Sequence, residues 1–360
     1  MSASTSPLQP RDRHPRILVI RRDNIGDLVC TTPLLAALRA RYPSGHVAAL
    51  VNTYNRAVLD GNPDVDVVYA YEKGKHRSAG RSVVSVYADR ARLILALRRE
   101  KFDYAILATP GFAAQALRFA RLAGARHVLG YADPGRTRSG LDIALSYDSA
   151  SKAHEVEQVF GLLKALGIDG APPAARVFPD PDLREEPRQA LSRMGSGTPV
   201  VGVHISARRK NQQWPAERFA GLIRAVAEHH GARILLLWSP GDVVNPTHPG
   251  DDEKAQAVVQ LCRGLPLLAW PTRALSGLIA ALSLCDYVVC ADGGAMHLAA
   301  ALQKPILCFF GDSPPERWRP WMTTHEMLRP PSRDLGDLGV EEAVAGFGRL
   351  IKAAPFSPHA

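Results

Sequence analysis

Residues 16–51 read RILVIRRDNIGDLVCTTPLLAALRARYPSGHVAALV, and the punctuation of this stretch decides the fold. ILVI (17–20) is a short apolar run bounded by arginines, and a helical pattern follows from about Asp27 to Arg41. Pro43, Ser44 and Gly45 break that pattern before a second apolar run, VAALV (47–51). A strand, a crossover helix and a second strand make a βαβ unit, whose strands lie parallel with a helix over one face.

The same alternation extends outward. Further strands are expected at 66–70, 104–108 and 127–130, with helices at about 88–101, 112–123 and 154–166. A proline-rich stretch, 171–198, reads as a linker with a short helix inside it. The pattern then restarts with strands at 200–205, 233–238, 287–290 and 305–310 and helices at about 215–229, 252–262, 274–284, 294–302 and 340–352. The expected organisation is a flexible leader (1–14), a first domain (15–170), the linker (171–198), a second domain (199–338) and a C-terminal helix and tail (339–360). The fold class is α/β, two doubly wound parallel sheets facing a cleft. In such sheets ligands bind at the carboxyl ends of the strands.

Composition bounds the function. Of 360 residues 46% are hydrophobic and 22% charged, ordinary values for a globular chain, so fibrous and wholly disordered classes are excluded. Five scattered cysteines without a CxxC pair read as reduced, buried thiols of a cytosolic protein. The N-terminus lacks the apolar stretch of a secretory signal, and no run of about 18 apolar residues occurs. The net charge of +9 lies almost wholly in the first 180 residues, so the first domain is expected to meet something anionic. No G-x-G-x-x-G follows the first strand, and no P-loop, H-E-x-x-H or G-x-S-x-G is present. Nicotinamide, ATPase, zinc-protease and serine-hydrolase chemistries therefore have no support.

Three segments carry candidate chemistry. RRDNIGDLVCTTP (21–33) follows the first strand; Asp27 there reads as a helix cap or as a base. CADGGAMHLAAAL (290–302) joins a strand to a helix. The N–H groups of Gly294, Ala295 and Met296 at that helix start suit a diphosphate. Asp292 would be repelled by phosphate and is expected to face a sugar hydroxyl or cap the helix, and His297 lies one turn in. HISARRKNQQWPAERF (204–219) places Arg208, Arg209 and Lys210 after a strand end, where cations stabilise charge on a departing phosphate. Taken singly, each segment has a plainer reading: a cap, a tight turn with an interior histidine, a solvated basic loop.

Together the segments resemble glycosyltransferase family 9, the heptosyltransferases of the lipopolysaccharide inner core. RRDNIGD-x-x-x-TTP and ADGGAMHLAAAL-x-KP carry the resemblance, supported by GNPDVD (61–66), AHEVEQ (153–158), WPAERF (214–219) and FFGDSPPERWRPW (309–321). The resemblance implies a GT-B fold, with the acceptor on the first Rossmann-like domain and an ADP-sugar on the second. It implies inverting transfer without a metal or other cofactor, the ADP-sugar being a co-substrate. Asp27 would be the base, and Arg22, Asp23 and Asn24 would lie on the acceptor side. Gly293, Gly294, Ala295, Met296 and His297, with Arg209 or Lys210, would bind the donor phosphates. Asp292 would contact the sugar, and Asp242, Asp252 or Glu253 the ribose.

Two positions depart from the family pattern. Gln212 stands where a lysine is common, two residues before Trp-Pro, and Gly293 replaces the Ser or Thr of D-[ST]-G. These departures leave room for another donor, a protein or glycan acceptor, or a non-catalytic nucleotide-sugar binder. Asp64 and Asp66 form a D-x-D, but in a segment the family shows without metal chemistry. The implied acceptor is an anionic glycolipid, which suits the basic first domain and a cytoplasmic protein touching the inner membrane peripherally. Arg90, Arg92, Arg98, Arg99 and Lys101 flank an apolar LILAL helix that reads first as a sheet cover and second as a lipid contact. Nucleic acid is not an expected partner, for want of an aromatic platform or helix-turn-helix signal.

Overall fold

The alternation of strands and helices builds two six-stranded, all-parallel sheets in a computed structural model that describes residues 14–72, 83–133 (backbone alone for 83–87), 139–241 and 250–357. The chain divides into two compact units, Met1–Arg176 and Val177–Ala360. Residues 1–13 of the expected leader lie outside the described residues.

In the first unit β1 (Arg16–Ile20) leads into α1 (Ile25–Val29), α2 (Thr32–Arg41) and β2 (His46–Asn52). Next come β3 (Val67–Tyr71), α3 (Val83–Arg99), β4 (Tyr104–Leu107), α4 (Ala114–Leu122), β5 (His127–Ala132), β6 (Ile143–Ser146) and α5 (Glu155–Phe160). The sheet order is β3-β2-β1-β4-β5-β6. The chain winds one way from β1 and then returns to its other side, so the switch point lies between β1 and β4. In sheets of this winding, ligands bind at the carboxyl ends of the strands beside the switch point. Leu18, Ile20, Leu50, Leu97, Phe102, Leu107 and Phe119 fill one core face.

The single helix expected from Asp27 to Arg41 is two. Pro33 sits in the first turn of α2, where its missing N–H costs nothing and its fixed φ favours a fresh start. The hydroxyls of Thr31 and Thr32 donate to the carbonyls of Asp27 (2.9 Å) and Val29 (2.8 Å), closing off α1. The helix expected at 154–166 is α-helical only to Phe160. It tightens into a 3-10 turn over Gly161–Leu166 and ends at Gly167, in the left-handed region at φ 67°.

The second unit repeats the plan. It contains α6 (Pro181–Ser192), β7 (Val200–His204), α7 (Ala216–His230), β8 (Arg233–Trp238), α8 (Asp252–Leu261), β9 (Leu267–Pro271) and α9 (Leu275–Ser283). Then follow β10 (Tyr287–Ala291), α10 (Gly294–Ala301), β11 (Ile306–Phe309), α11 (Pro315–Trp318), β12 (His325–Leu328) and α12 (Val340–Ala353). The order β12-β11-β10-β7-β8-β9 puts the switch point between β7 and β10. Its core is separate, with Val203, Trp214, Phe219, Leu236, Val289, Phe309 and Phe347 packed together. Helix α6, inside the stretch read as a linker, packs on α9. All five cysteines are buried, and none is in a disulfide. Among the described residues no helix is long and apolar enough to cross a membrane.

Candidate functional site

Both switch points are occupied by the segments singled out in the sequence. After β1 the chain places Arg21, a charged side chain only 2% exposed, at the carboxyl end of the strand. Its guanidinium donates to the carbonyl of Ala108, just past β4. One terminal nitrogen donates to Asp27 Oδ1 and to Glu155 Oε1, both at 2.7 Å. Asp23 Oδ2 lies 3.1 Å from Arg21 Nε. A buried cation this well partnered stays charged: burial pulls its pKa down, and Asp27, Glu155 and Asp23 more than reverse that.

Asp27 is the third residue of α1. It receives the backbone N–H of Asn24 (2.8 Å) and its side-chain amide (3.0 Å) on Oδ2. Capping and a possible reactive role therefore coincide: one oxygen closes the helix start, the other meets Arg21. Burial raises the carboxyl's pKa, but the Arg21 charge and the Asn24 hydrogen bonds outweigh it and hold Asp27 below the usual carboxylate range. It is mostly buried but not sealed, with 13% of its side chain exposed. Arg22 turns away, bonding Tyr71 and Gln115 and lying 5.3 Å and 5.4 Å from the rings of Tyr71 and Phe119. Asn52 and Asn55 bind the carbonyls of the 22–24 turn and fix its path.

The AHEVEQ segment explains how Glu155 arrives. His154 caps α5 through Nδ1, which accepts from Val156 N at 3.1 Å, while Glu157 accepts the His154 N–H at 2.7 Å. Helix α5 packs on α2, and Glu155, fully buried, is its first residue. Arg21 and Glu155 were not singled out as site residues by the sequence reading. An arginine directly after a strand reads as surface, and nothing in the spacing joins positions 134 residues apart. The two carboxylates of the D-x-D diverge: Asp64 pairs with Arg176 at 2.9 Å, and Asp66 takes the Val47 N–H and Arg39, both at 2.7 Å. Among the described residues no group of three or more His, Cys, Asp or Glu is placed to hold a metal.

At the second switch point β10 ends at Ala291 and α10 begins at Gly294, with Gly293 extended between them. No side chain caps α10, so the first-turn N–H groups of Gly294, Ala295 and Met296 keep their donor capacity, backed by the helix dipole. Asp292 accepts from Gln212 Nε2 at 2.9 Å, and the same amide reaches Ser313 Oγ at 3.2 Å. Arg209 also points at Ser313 Oγ, at 3.4 Å. The loops after β7, β10 and β11 thus converge. Gly311 permits it: a Cβ there would stand 2.9 Å from the Asn211 carbonyl and 3.1 Å from that of Arg333. Lys210 is exposed at the start of a 3-10 turn, and His297 is buried, with its ring edge-on to Trp318 at 5.9 Å.

The residues expected at the ribose are Asp242, Asp252 and Glu253. Asp242 lies outside the described residues. Asp252 is engaged by Trp238 Nε1 (2.7 Å) and the Gly241 N–H (2.9 Å), and Glu253 is exposed on α8. Lys254, not anticipated, is drawn inward: its Nζ donates to the Ile205 carbonyl at 2.9 Å and lies 5.1 Å from the Phe219 ring. Burial lowers its pKa against the pull of Asp251. Within WPAERF, Trp214 and Phe219 are core: Trp214 packs on Phe219 and Phe309 and donates to the Leu338 carbonyl at 3.0 Å.

Comparison with known proteins gives a consistent picture. The profile of "Glycosyltransferase family 9 (heptosyltransferase)" matches residues 90–338. The chain is 25% identical over 342 residues to lipopolysaccharide heptosyltransferase 1 of Escherichia coli K12, covering 93% of this chain and all of that one. Its fold is similar to that of the family 9 glycosyl transferase from Veillonella parvula, with a TM-score of 0.80 at 20% identity over 98% of this chain and 100% of the other. It is similar too to the heptosyltransferase WaaC of E. coli solved with ADP, with a TM-score of 0.73 at 20% identity over 93% and 99%. Two Rossmann-like domains of the GT-B class are the common fold.

Proposed function

Since the chain belongs to glycosyltransferase family 9 and is a glycosyltransferase, we propose that it transfers heptose from ADP-heptose to an inner-core acceptor of lipopolysaccharide. The observation that carries this reading is Asp27, an ionised, partly accessible carboxylate locked at the β1–β4 switch point by Arg21 and Asn24. A base of low pKa works here through placement: its lone pair is fixed where an acceptor hydroxyl can approach. Asp27 takes the hydroxyl proton as that oxygen bonds the anomeric carbon. The bond from that carbon to the donor phosphate oxygen breaks on the opposite face, its electron pair leaving with ADP, so the configuration inverts.

On the donor side, Gly293 and the N–H groups of Gly294, Ala295 and Met296 would hold the diphosphate, with Arg209 and Lys210 nearest in charge and His297 one turn behind. Asp292, positioned by Gln212, would face the sugar. This division needs no metal, because the helix start and the cations meet the charge on departing ADP. Asp23 and Asn24 border Asp27 on the acceptor side, and Arg22 lines the neighbouring wall. The basic first half suits an anionic glycolipid at the cytoplasmic face of the inner membrane, with no role for nucleic acid. Leu95, 55% exposed among the arginines of α3, supports a peripheral lipid contact. The lipopolysaccharide heptosyltransferase relative and the ADP-bound neighbour support donor and acceptor alike. Gln212 and Gly293 favour, as a second reading, a related transferase with another nucleotide sugar.

The test is release of nucleoside diphosphate from a panel of nucleotide sugars, with heptose-deficient lipopolysaccharide as acceptor and EDTA present. ADP from ADP-heptose is expected. Asp27→Asn should lower turnover by about 10²–10⁴-fold while ADP binding, read by calorimetry, is kept. Release from another nucleotide sugar alone would move the assignment to the second reading, and no release from any would leave a binding protein.

A further inference from the structure

We propose that Glu155 and Asp23 are positioning residues that set how strongly Asp27 attracts a proton, by sharing the single Arg21 guanidinium with it. The inference rests on Asp27 being the base.

Asp27 Oδ1 and Glu155 Oε1 are each 2.7 Å from the same Arg21 nitrogen, so the two carboxylates face one another across it. Asp23 Oδ2 lies 3.1 Å from Nε, an ion pair without a hydrogen bond. Alone, Arg21 would stabilise the Asp27 anion strongly and leave it a feeble base. Two further anions on the same cation divide that stabilisation and add like-charge repulsion. They also keep Arg21 in place when Asp27 becomes neutral on taking a proton, so the site need not reorganise mid-reaction. The Ala108 carbonyl anchors the remaining edge of the guanidinium. On the 3-10 turn packed against α1, Arg56 and Asp60 pair with each other at 3.8 Å, at the surface. The carboxylates paired with the Arg21 guanidinium are thus Asp27, Asp23 and Glu155.

The experiment is a pH titration of the Asp27 carboxyl carbon by NMR in full-length protein labelled with ¹³C at aspartate carboxyls, the signal identified by its loss in Asp27→Asn. Glu155→Gln should move the midpoint about one pH unit lower. Asp23→Asn should move it the same way but less, since that carboxylate is 41% exposed and screened. Glu155→Asp should return it close to the original. An unmoved or higher midpoint in Glu155→Gln, or a shift in Glu155→Asp as large as in Glu155→Gln, overturns the proposal. Should Glu155→Gln not fold, Asp23→Asn decides: a lowered midpoint supports the sharing and an unmoved one overturns it. In turnover, Glu155→Gln should lower the plateau of kcat/KM and carry its acid limb to lower pH, whereas a purely structural loss leaves the limb in place. Midpoints that move as expected while Asp27→Asn still turns over would sink the base assignment and leave the sharing intact.

Discussion

Replacing Gly293 offers a direct probe of the proposed donor side. The residue is extended (φ 161°, ψ −167°), and a Cβ built on it has no atom within 4 Å. A side chain there therefore meets neither strain nor clash, and Gly293→Ala should stabilise the second unit by about 0.4–1 kcal/mol through reduced freedom of the unfolded chain. For a domain of this size that raises Tm by about 1–4 °C. Gly293→Ser should gain a few tenths of a kcal/mol more, because its hydroxyl can cap α10. If the diphosphate sits on the first turn of α10, the same hydroxyl becomes a donor to a charged oxygen, an interaction of about 1.5–3 kcal/mol before the cost of orienting it. A net gain near 1.4 kcal/mol tightens ADP binding about tenfold relative to Gly293→Ala. Thermal unfolding and calorimetric titration with ADP read the two effects separately. A lowered Tm in Gly293→Ala would refute the open extended turn, and equal ADP affinity in the Ala and Ser variants would refute phosphate at this helix start.

Three further outcomes are expected. Gln212→Leu removes the 2.9 Å donor to Asp292 and should raise the donor KM about tenfold or more; Gln212→Lys, adding a cation beside the same carboxylate, should tighten ADP binding several-fold by calorimetry. His204 is buried at the end of β7, and burial, helped by Lys254, pulls its pKa down to about 4. Its unfolded value lies near 6.5, so the unfolded chain binds the proton more readily. The stability this group confers is complete above about pH 6.5 and falls by about 3 kcal/mol as pH drops to about 4. Urea unfolding across that window should show the loss in the wild type and a flatter profile in His204→Gln, and parallel profiles would contradict it. Gly202→Ala would place a Cβ 2.6 Å from Cys285 Sγ inside the β7–β10 core, costing about 1–3 kcal/mol, and Cys285→Ala should restore most of that in the double variant.

How much of this was legible in the sequence depends on where each residue's partners lie. The central strands β1, β2, β4, β7, β8, β10 and β11 are buried on both faces and stand out as apolar runs. The strands that escaped notice, β6, β9 and β12, are at or toward sheet edges. IALS alternates half-buried and exposed residues, LLAWP ends on a proline, and HEML carries a charge. At the candidate site, Asp27 and the 292–297 segment were visible because each is a local motif on a strand-to-helix turn. Arg21 with Glu155, and Gln212 with Asp292, were not, since each pair is made by the winding of the sheet rather than by spacing along the chain. The lone helix read over 27–41 failed at Pro33, a residue that starts a helix as readily as it ends one.

Both lobes wind in the same order, so each offers the same sockets above its middle strands, and the two are filled differently. The leading lobe gathers Arg21, Asp23 and Asp27 in the loop after its first strand, braced by a helix further along. The trailing lobe assembles its polar cluster from the loops after its first, fourth and fifth strands. Because each lobe owns a private core, the trailing loops can be rewritten over strands whose packing is their own lobe's. On the proposed division of roles, such a scaffold could change the sugar it reads while inheriting its chemistry unaltered.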